Sequence, residues 1–220
     1  MVVAETFTSI QGEGMLAGVP SFFIRTSGCN LRCAWCDTPY TSWQPEGSRR
    51  SVGELVAEAA ASRCRHVVIT GGEPLLQREL PALAAAGRHT TVETAGTIAP
   101  EFACDLLSVS PKTSNSDPEG RFRGRHLALR SRLGPLLALL ARHPEHQLKF
   151  VVRDEGDIGE VLDLVGRLGT EPRRVLLMPE GRTSAEVASR AACVARLCLR
   201  HGFRYSPRLH LDLFGGGRGV

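Results

Sequence analysis

Gly28-Cys29-Asn30-Leu31-Arg32-Cys33-Ala34-Trp35-Cys36-Asp37-Thr38 sets three cysteines on one loop at C-x3-C-x2-C spacing, and no fourth ligand follows. That shortfall decides the reading. A structural zinc site closes with four Cys or His ligands, usually as two short-spaced pairs. An ordinary four-iron cluster takes four thiolates. Three thiolates hold a 4Fe–4S cluster by three irons and leave the fourth open to a small molecule. Three plainer readings compete: a chance cluster of thiols, a zinc site that borrows a distant histidine, and disulfides.

Composition narrows the field around that loop. A chain of 220 residues suffices for a single domain, 1–220, with a full-sized core. Its hydrophobic content of 42% and charged content of 23% are ordinary for a globular protein. No apolar run approaches the ~18 residues of a membrane span. Met1-Val2-Val3-Ala4-Glu5 lacks the basic flank and apolar stretch of a signal peptide. A cytoplasmic location is therefore expected, where thiols stay reduced and clustered cysteines favour metals over disulfides. The other four cysteines, Cys64, Cys104, Cys193 and Cys198, have no ligand spacing and read as small buried hydrophobes. Cys198 falls on an apolar stripe with Val187, Ala191 and Val194. A net charge of +4 is too mild to imply nucleic acid, and Arg121-Phe122-Arg123-Gly124-Arg125 reads as a solvated loop. Only two of the 27 basic residues are lysines, Lys112 and Lys149, and both lie beside strand-like segments. Lysine's compact ammonium is not interchangeable with a guanidinium. Both survivors are therefore marked for attention, Lys149 without an assigned role.

Outward from the cysteine loop, short apolar strands alternate with helices. Phe22-Phe23-Ile24-Arg25 is a strand that runs into the loop. Ser51 and Glu54 form a capping box that opens a helix with Leu55, Val56 and Ala59 on one face. Further strands are expected at 67–69, 91–92, 106–109, 148–152 and 175–177. Helices are expected around 78–86, 133–142 and 157–168, and a second capping box, Thr183 with Glu186, opens the last long one. This alternation predicts an α/β protein with a parallel sheet of about six strands and helical crossovers. Gly, Pro and charged residues gather where strands end. They do so in the cysteine loop, Thr70-Gly71-Gly72-Glu73-Pro74, Glu93-Thr94-Ala95-Gly96, Ser110-Pro111-Lys112 and Met178-Pro179-Glu180-Gly181. Parallel α/β folds bind ligands at the carboxyl ends of their strands. Five such ends predict one site.

With Trp35 just before its third cysteine, the loop resembles the signature of the radical S-adenosylmethionine (SAM) enzymes, and Thr70 to Pro74 resembles their GGE motif. A longer string is more specific. Phe7-Thr8-Ser9-Ile10-Gln11-Gly12-Glu13-Gly14, then Gly18, Pro20, Phe23-Ile24-Arg25 and the loop through Thr38, is similar to the 7-carboxy-7-deazaguanine synthase family. The likeness runs from Glu5 through Met178-Pro179. It weakens around Ser114 to Arg132 and in the C-terminal tail, 203–220. The resemblance implies an incomplete (β/α)6-type radical SAM barrel with parallel strands. It implies a lyase using a 4Fe–4S cluster, SAM and Mg²⁺. Such a lyase contracts 6-carboxy-5,6,7,8-tetrahydropterin to 7-carboxy-7-deazaguanine, releases ammonia and feeds queuosine and related deazapurines. In that family an electron splits SAM to a 5′-deoxyadenosyl radical, which takes hydrogen from the carbon bearing the carboxylate.

The same resemblance assigns residues. Cys29, Cys33 and Cys36 hold the cluster and serve catalysis, and Thr38 binds Mg²⁺. Trp35 lies beside the SAM adenine. Asp37, Gly72, Glu73, Ser110, Pro111, Lys112, Met178, Pro179, Glu180 and Gly181 line the SAM cleft, with Glu73 offered to the ammonium of the methionine end. Ile10, Gln11, Gly12, Glu13 and Thr70 meet the pterin, and Arg25 forks onto its carboxylate. A reductant such as flavodoxin or ferredoxin and a homodimer are implied; nucleic acid and membrane are not. Two departures stand out: Ala95 replaces a polar residue common in the family, and Gly215-Gly216-Gly217-Arg218-Gly219-Val220 extends the tail beyond Arg208 to Phe214. One rival is an activase that makes a glycyl radical on a partner protein. It would share the cysteines and GGEP but need no Gln11, Glu13 and Arg25 site. The other is a non-enzymatic iron–sulfur or zinc-binding interaction module, which would need a fourth ligand.

Overall fold

The computed structural model describes residues 1–220. Its strands are β1 (Val2–Ile10), β2 (Pro20–Thr26), β3 (Ser48–Arg49), β4 (His66–Gly71), β5 (His89–Thr94), β6 (Leu106–Val109), β7 (His146–Val152), β8 (Val175–Pro179) and β9 (Arg204–Tyr205). Its helices are α1 (Pro39–Ser42), α2 (Val52–Ala61), α3 (Leu80–Ala84), α4 (Arg123–Arg130), α5 (Leu133–Arg142), α6 (Ile158–Leu168), α7 (Ser184–His201) and α8 (Leu209–Phe214). The strands form one open sheet in the order β3-β1-β2-β4-β5-β6-β7-β8-β9. From β2 onward every neighbour is parallel, whereas β1 runs antiparallel to both β2 and β3. The sheet is thus an unclosed barrel. The six expected strands are β2 and β4 to β8; β1, β3 and β9 are additions at its two edges.

Strand alternation explains how one sheet carries both a core and a site. Side chains of successive residues point to opposite faces. On one face Phe22, Ile24, Val67, Ile69, Val92, Leu107, Val109, Leu148, Phe150, Val152, Val175 and Leu177 are buried in a single core with helix residues such as Leu55, Leu139, Val161 and Val194. The intervening residues, Arg25, Thr70, Glu93, Ser108, Lys149 and Met178, face the hollow side and line cavities. A polar layer forms the hollow's lower wall: His66 bonds Ser21 at 2.7 Å and Thr91 at 2.7 Å. Burial holds His66 down at about 4, so it stays neutral at physiological pH.

Local chemistry sets the helix ends. Both capping boxes are present, Ser51 with Glu54 and Thr183 with Glu186. Helix α5 spans the expected residues, while α3 is shorter than expected. The segment Arg121 to Arg125, read as a solvated loop, instead closes a short 3-10 turn at Gly120–Phe122 and begins α4. Its arginines are long-chain helix formers, and Phe122 has a packing partner in Trp43 that the sequence alone does not reveal. Among the cysteines outside the loop, Cys64 and Cys198 lie in the core and Cys104 and Cys193 pack against it.

Phe150 is fully buried between sheet and helices. Phe150→Ala is expected to destabilise the metal-free protein by about 3–5 kcal/mol, read from urea unfolding.

Candidate active site

The cysteine loop follows β2 directly and is fastened from several sides. The Gly28 N–H donates to the Thr41 carbonyl at 2.9 Å, and the Ala34 N–H donates to the Ser116 carbonyl at 3.0 Å. Trp43 Nε1 donates to the Cys33 carbonyl at 3.0 Å, and the Arg32 N–H donates to His126 Nδ1 at 3.1 Å. Trp35 Nε1 donates to Asn115 Oδ1 at 3.2 Å. The glycine pair of the GGE segment serves this fastening. The Gly72 N–H donates to the Thr26 carbonyl and the Glu73 N–H to the Gly28 carbonyl, at 3.0 and 2.8 Å. A Cβ on Gly72 would strike the Gly28 and Thr41 carbonyls, so only glycine admits this backbone crossing.

All three loop thiols are free and line one chamber of 160 Å³. Burial pushes Cys29 up to about 12 and Cys33 up to about 11, so without metal both are protonated, and metal binding must displace those protons. No three His, Cys, Asp or Glu side chains converge tightly enough to hold a single metal ion. A zinc ion requires such convergence, whereas a four-iron cluster takes each thiolate on a separate iron. The donor set fits the cluster. Ser42 Oγ lies 3.2 Å from Cys36 Sγ and the Leu31 N–H donates to Cys29 Sγ at 3.4 Å, the kind of sulfur contact that tunes a cluster's potential.

A second chamber, of 280 Å³, adjoins the first. Ile10, Gln11, Gly12, Arg25, Arg182, Arg208 and His210 line it, and the tail contributes Gly216, Gly217 and Val220. Glu13, Asp37, Thr38, Thr70, Gly71 and Glu93 border both chambers. Arg25 Nε donates to Glu5 at 2.7 Å, and Tyr40 donates to the same carboxylate oxygen at 2.7 Å. Glu93 accepts from Gln11 at 3.1 Å and from Thr70 at 2.8 Å.

The connection from β1 to β2 crosses the open barrel and docks on its far side. Glu13 pairs with Lys149 Nζ and, at 3.0 Å, with Arg208 Nε. Arg208 also pairs with Asp37 and donates to the Gly181 carbonyl. The Gly14 N–H donates to Ser206 Oγ at 2.9 Å and the Met15 N–H to Gln147 Oε1 at 2.7 Å. Gly14 sits at φ 76°, and a Cβ there would run into the Gln147 amide. Burial alone would raise the Glu13 pKa, but Lys149 and Arg208 outweigh it and hold the carboxyl well below its usual range. Burial likewise opposes charge on Lys149, and Glu13 reverses that, so the pair is ionised.

The structure brings most expected residues together and relocates several. Trp35, Asp37, Gly72, Ser110, Lys112 and Met178 line the thiol chamber with the cysteines. Lys112 Nζ donates to Ser110 and lies 5.6 Å from the Trp35 ring centroid. Glu73 lines neither chamber. Its carboxylate is fully buried and accepts from Leu75 N–H, Thr94 Oγ1 and Ala95 N–H at 3.1, 2.7 and 2.9 Å. Three donors already occupy the group expected to meet an ammonium. Pro111, Pro179, Glu180 and Gly181 also lie outside both linings. Glu180 pairs with Arg190 at 3.3 Å. Glu13, expected at the pterin edge, is spent on two internal cations.

Comparison with known proteins agrees with this geometry. Residues 23–125 match the model of the Radical SAM superfamily. A 7-carboxy-7-deazaguanine synthase of Halobacterium salinarum is 47% identical, covering 96% of this chain and 90% of its own length. That of Rhodopirellula baltica is 40% identical over 100% of this chain and 89% of its own. The chain belongs to the 7-carboxy-7-deazaguanine synthase family. A solved structure, QueE from Escherichia coli, superposes with a TM-score of 0.68 at 27% identity, covering 93% of this chain and 92% of that one.

Within this family member, four site residues escaped the motif reading: Glu93, Lys149, Arg208 and His210. Glu93 did stand at a strand end among small polar residues, and Lys149 was conspicuous as one of two lysines. Arg208 and His210 stood in a tail that resembles the family's ending but had no assigned role, because only folding returns that tail to Gly12 and Glu13; the Leu209 N–H donates to the Gly12 carbonyl at 3.0 Å.

Glu13→Gln leaves two buried cations short of their counter-charge and should cost about 3–5 kcal/mol at neutral pH. Glu13's folded pKa is depressed, so its contribution is full above the ordinary glutamate value and fades as pH falls below it. The stability gap between wild type and variant should therefore hold steady above about pH 5 and narrow progressively below it in urea titrations.

Proposed function

We propose that the chain is a SAM-dependent lyase that converts 6-carboxy-5,6,7,8-tetrahydropterin to 7-carboxy-7-deazaguanine with release of ammonia. The observation that carries this reading is the shared wall: a thiol-lined chamber opens onto a polar one across Glu13, Asp37, Thr38, Thr70, Gly71 and Glu93. A cluster on Cys29, Cys33 and Cys36, with SAM beside it, supplies the electron and radical chemistry. The chain's own groups bind and orient. Trp35, Ser110, Lys112 and Met178 border the SAM side. Arg25 spends only Nε on Glu5, leaving both terminal nitrogens for a substrate carboxylate. Glu93 keeps acceptor capacity beyond Gln11 and Thr70 for N–H groups on a pterin edge. Gln11, Ile10 and Gly12 complete that wall. The tail, with Arg218 stacked 3.6 Å from the Tyr40 ring centroid and paired with Glu46 at 2.9 Å, covers it.

Thr38 is the proposed Mg²⁺ ligand. It borders both chambers, and its hydroxyl has only distant partners, Thr41 at 3.4 Å and Cys36 at 3.9 Å. One neutral oxygen suffices when substrate and water oxygens fill the remaining positions. We further take residues 1–220 as one radical SAM unit that works as a cytoplasmic homodimer and draws electrons from a flavodoxin- or ferredoxin-type donor. No helix is long and apolar enough to cross a membrane.

Anaerobic reconstitution followed by substrate assay tests the reading. Wild type should bind about four irons, cleave SAM when reduced and form the deazaguanine product. Cys33→Ala should lose iron and both reactions, and SAM cleavage surviving in that variant would sink the assignment. Mg²⁺ titration tests Thr38. Thr38→Ala should raise the Mg²⁺ concentration needed for half-maximal product formation, while Thr38→Ser retains more activity; superimposable curves for Thr38→Ala and wild type would remove Thr38 from the metal site.

A further inference from the structure

Arg25 enters the second chamber already oriented. Glu5 on β1 stands directly opposite Arg25 on β2, beside an irregularity in the strand pairing, and its Oε1 accepts from Arg25 Nε at 2.7 Å. The guanidinium carbon lies 5.3 Å from the centroid of the Phe7 ring. Phe7 is itself stacked on Phe23, with centroids 4.9 Å apart and an angle of 4° between the planes. One edge and one face of the guanidinium are thereby occupied, and its terminal nitrogens are left for the chamber. Tyr40 donates to the same Glu5 oxygen at 2.7 Å, yet neither Glu5 nor Tyr40 lines either of the two larger chambers. Both reach the ligand space only through Arg25.

Outside this anchor lies the tail. Gly215 and Gly216, at φ 72° and 75°, turn the chain after α8, and Gly216, Gly217 and Val220 line the second chamber. Arg218 stacks on Tyr40, 3.6 Å from the ring centroid, and pairs with Glu46 at 2.9 Å. Its seat is held together independently of the tail, because the Glu46 N–H donates to the Tyr40 carbonyl at 2.8 Å. Arg218, Tyr40, Glu5 and Arg25 thus form one unbroken line of contacts from the tail to the chamber wall.

We propose that Glu5 and Tyr40 are positioning residues that aim Arg25 at the substrate carboxylate, and that Arg218, seated on Tyr40, ties this aim to closure of the tail over the second chamber. The inference rests on the pterin reading of that chamber. A free arginine has many rotamers and must be ordered as its ligand binds. Here the ordering is done during folding, so carboxylate binding is spared a cost of about two- to tenfold in affinity. A plain ion pair has the opposite consequence. Glu5 would then compete with the substrate for Arg25, and its removal would tighten carboxylate binding. The sign of the effect separates the two roles.

The test measures ligand binding to anaerobically reconstituted protein with SAM and Mg²⁺, read from pterin fluorescence. The probes are 6-carboxypterin, an oxidised analogue with no hydrogen at C6 to abstract, and pterin, which lacks the carboxylate. The ratio of their affinities isolates the carboxylate contact. Wild type should prefer 6-carboxypterin, and Arg25→Ala should abolish the preference. Glu5→Ala should cut the ratio about fivefold, and Glu5→Gln, which keeps an acceptor oxygen, should restore part of it. Tyr40→Phe and Arg218→Ala should each cut the ratio at least about twofold. Pterin itself should bind the Glu5 and Tyr40 variants as it binds wild type. Circular dichroism and iron content verify folding, and Tyr40→Phe, which keeps the ring, decides the matter if Glu5→Ala weakens the β1 edge. An unchanged or raised ratio in Tyr40→Phe overturns the positioning role, as does equal loss of both ligands, which would mark a merely structural contact. An unchanged ratio in Arg218→Ala overturns the tail's part. A wild type that binds 6-carboxypterin no better than pterin would strike the pterin reading itself, and the inference with it.

Discussion

A buried charge network sets the constraints on the rest of this molecule. Glu13, Lys149 and Arg208, sheltered from water, join the β1–β2 connection, the middle of β7 and the C-terminal tail, and Asp37 ties the cysteine loop to Arg208 from the exposed rim. None of these segments is adjacent in sequence. Each charge taken from water carries a desolvation cost, recovered only when its partners stand in place together. The network is therefore satisfied only in the assembled site. It also explains why an open barrel with antiparallel β1 at its edge holds its shape: the QGEG segment spans the gap and is fastened to β7 and to Ser206.

The sheet separates two tasks by the parity of its residues. Even and odd positions of β7 show this most clearly: Leu148, Phe150 and Val152 belong to the core, while Gln147, Lys149 and Val151 face the hollow. Packing on one face fixes the register, since a slip of one residue would exchange the two sets. Stability and chemistry are consequently coupled through strand register, and they share side chains only in the Glu13, Lys149 and Arg208 network.

Much of this was legible before folding. The six parallel strands, both capping boxes and the strand ends around the cysteines follow from local patterns, because periodicity and caps are local properties. Strand β1 was missed: its residues, Val2 to Ile10, are mostly half-exposed and lie at an edge, so they lack the continuous apolar run of a buried strand. The cysteines, Arg25 and Thr38 were found by motif and do border the chambers. Glu73 and Glu13 show the limit of motif reading. Their types were noticed, but which donors they meet depends on contacts with Thr94 and Ala95 in one case and Lys149 and Arg208 in the other. The segment from Ser114 to Arg132, where the family likeness weakens, turned out to brace the cysteine loop through Asn115, Ser116 and His126.

The scarcity of lysine has a chemical consequence. Lys149 is buried against Glu13, and Lys112 is held by Ser110 over Trp35. Neither lysine lies on the exposed surface, which is dressed almost wholly in arginine where it is positive. Aldehydes, acyl phosphates and other electrophiles that modify surface amines have little to react with outside. Acylation of the folded chain becomes a reporter of chamber access, and both ammonium groups are screened by the fold itself.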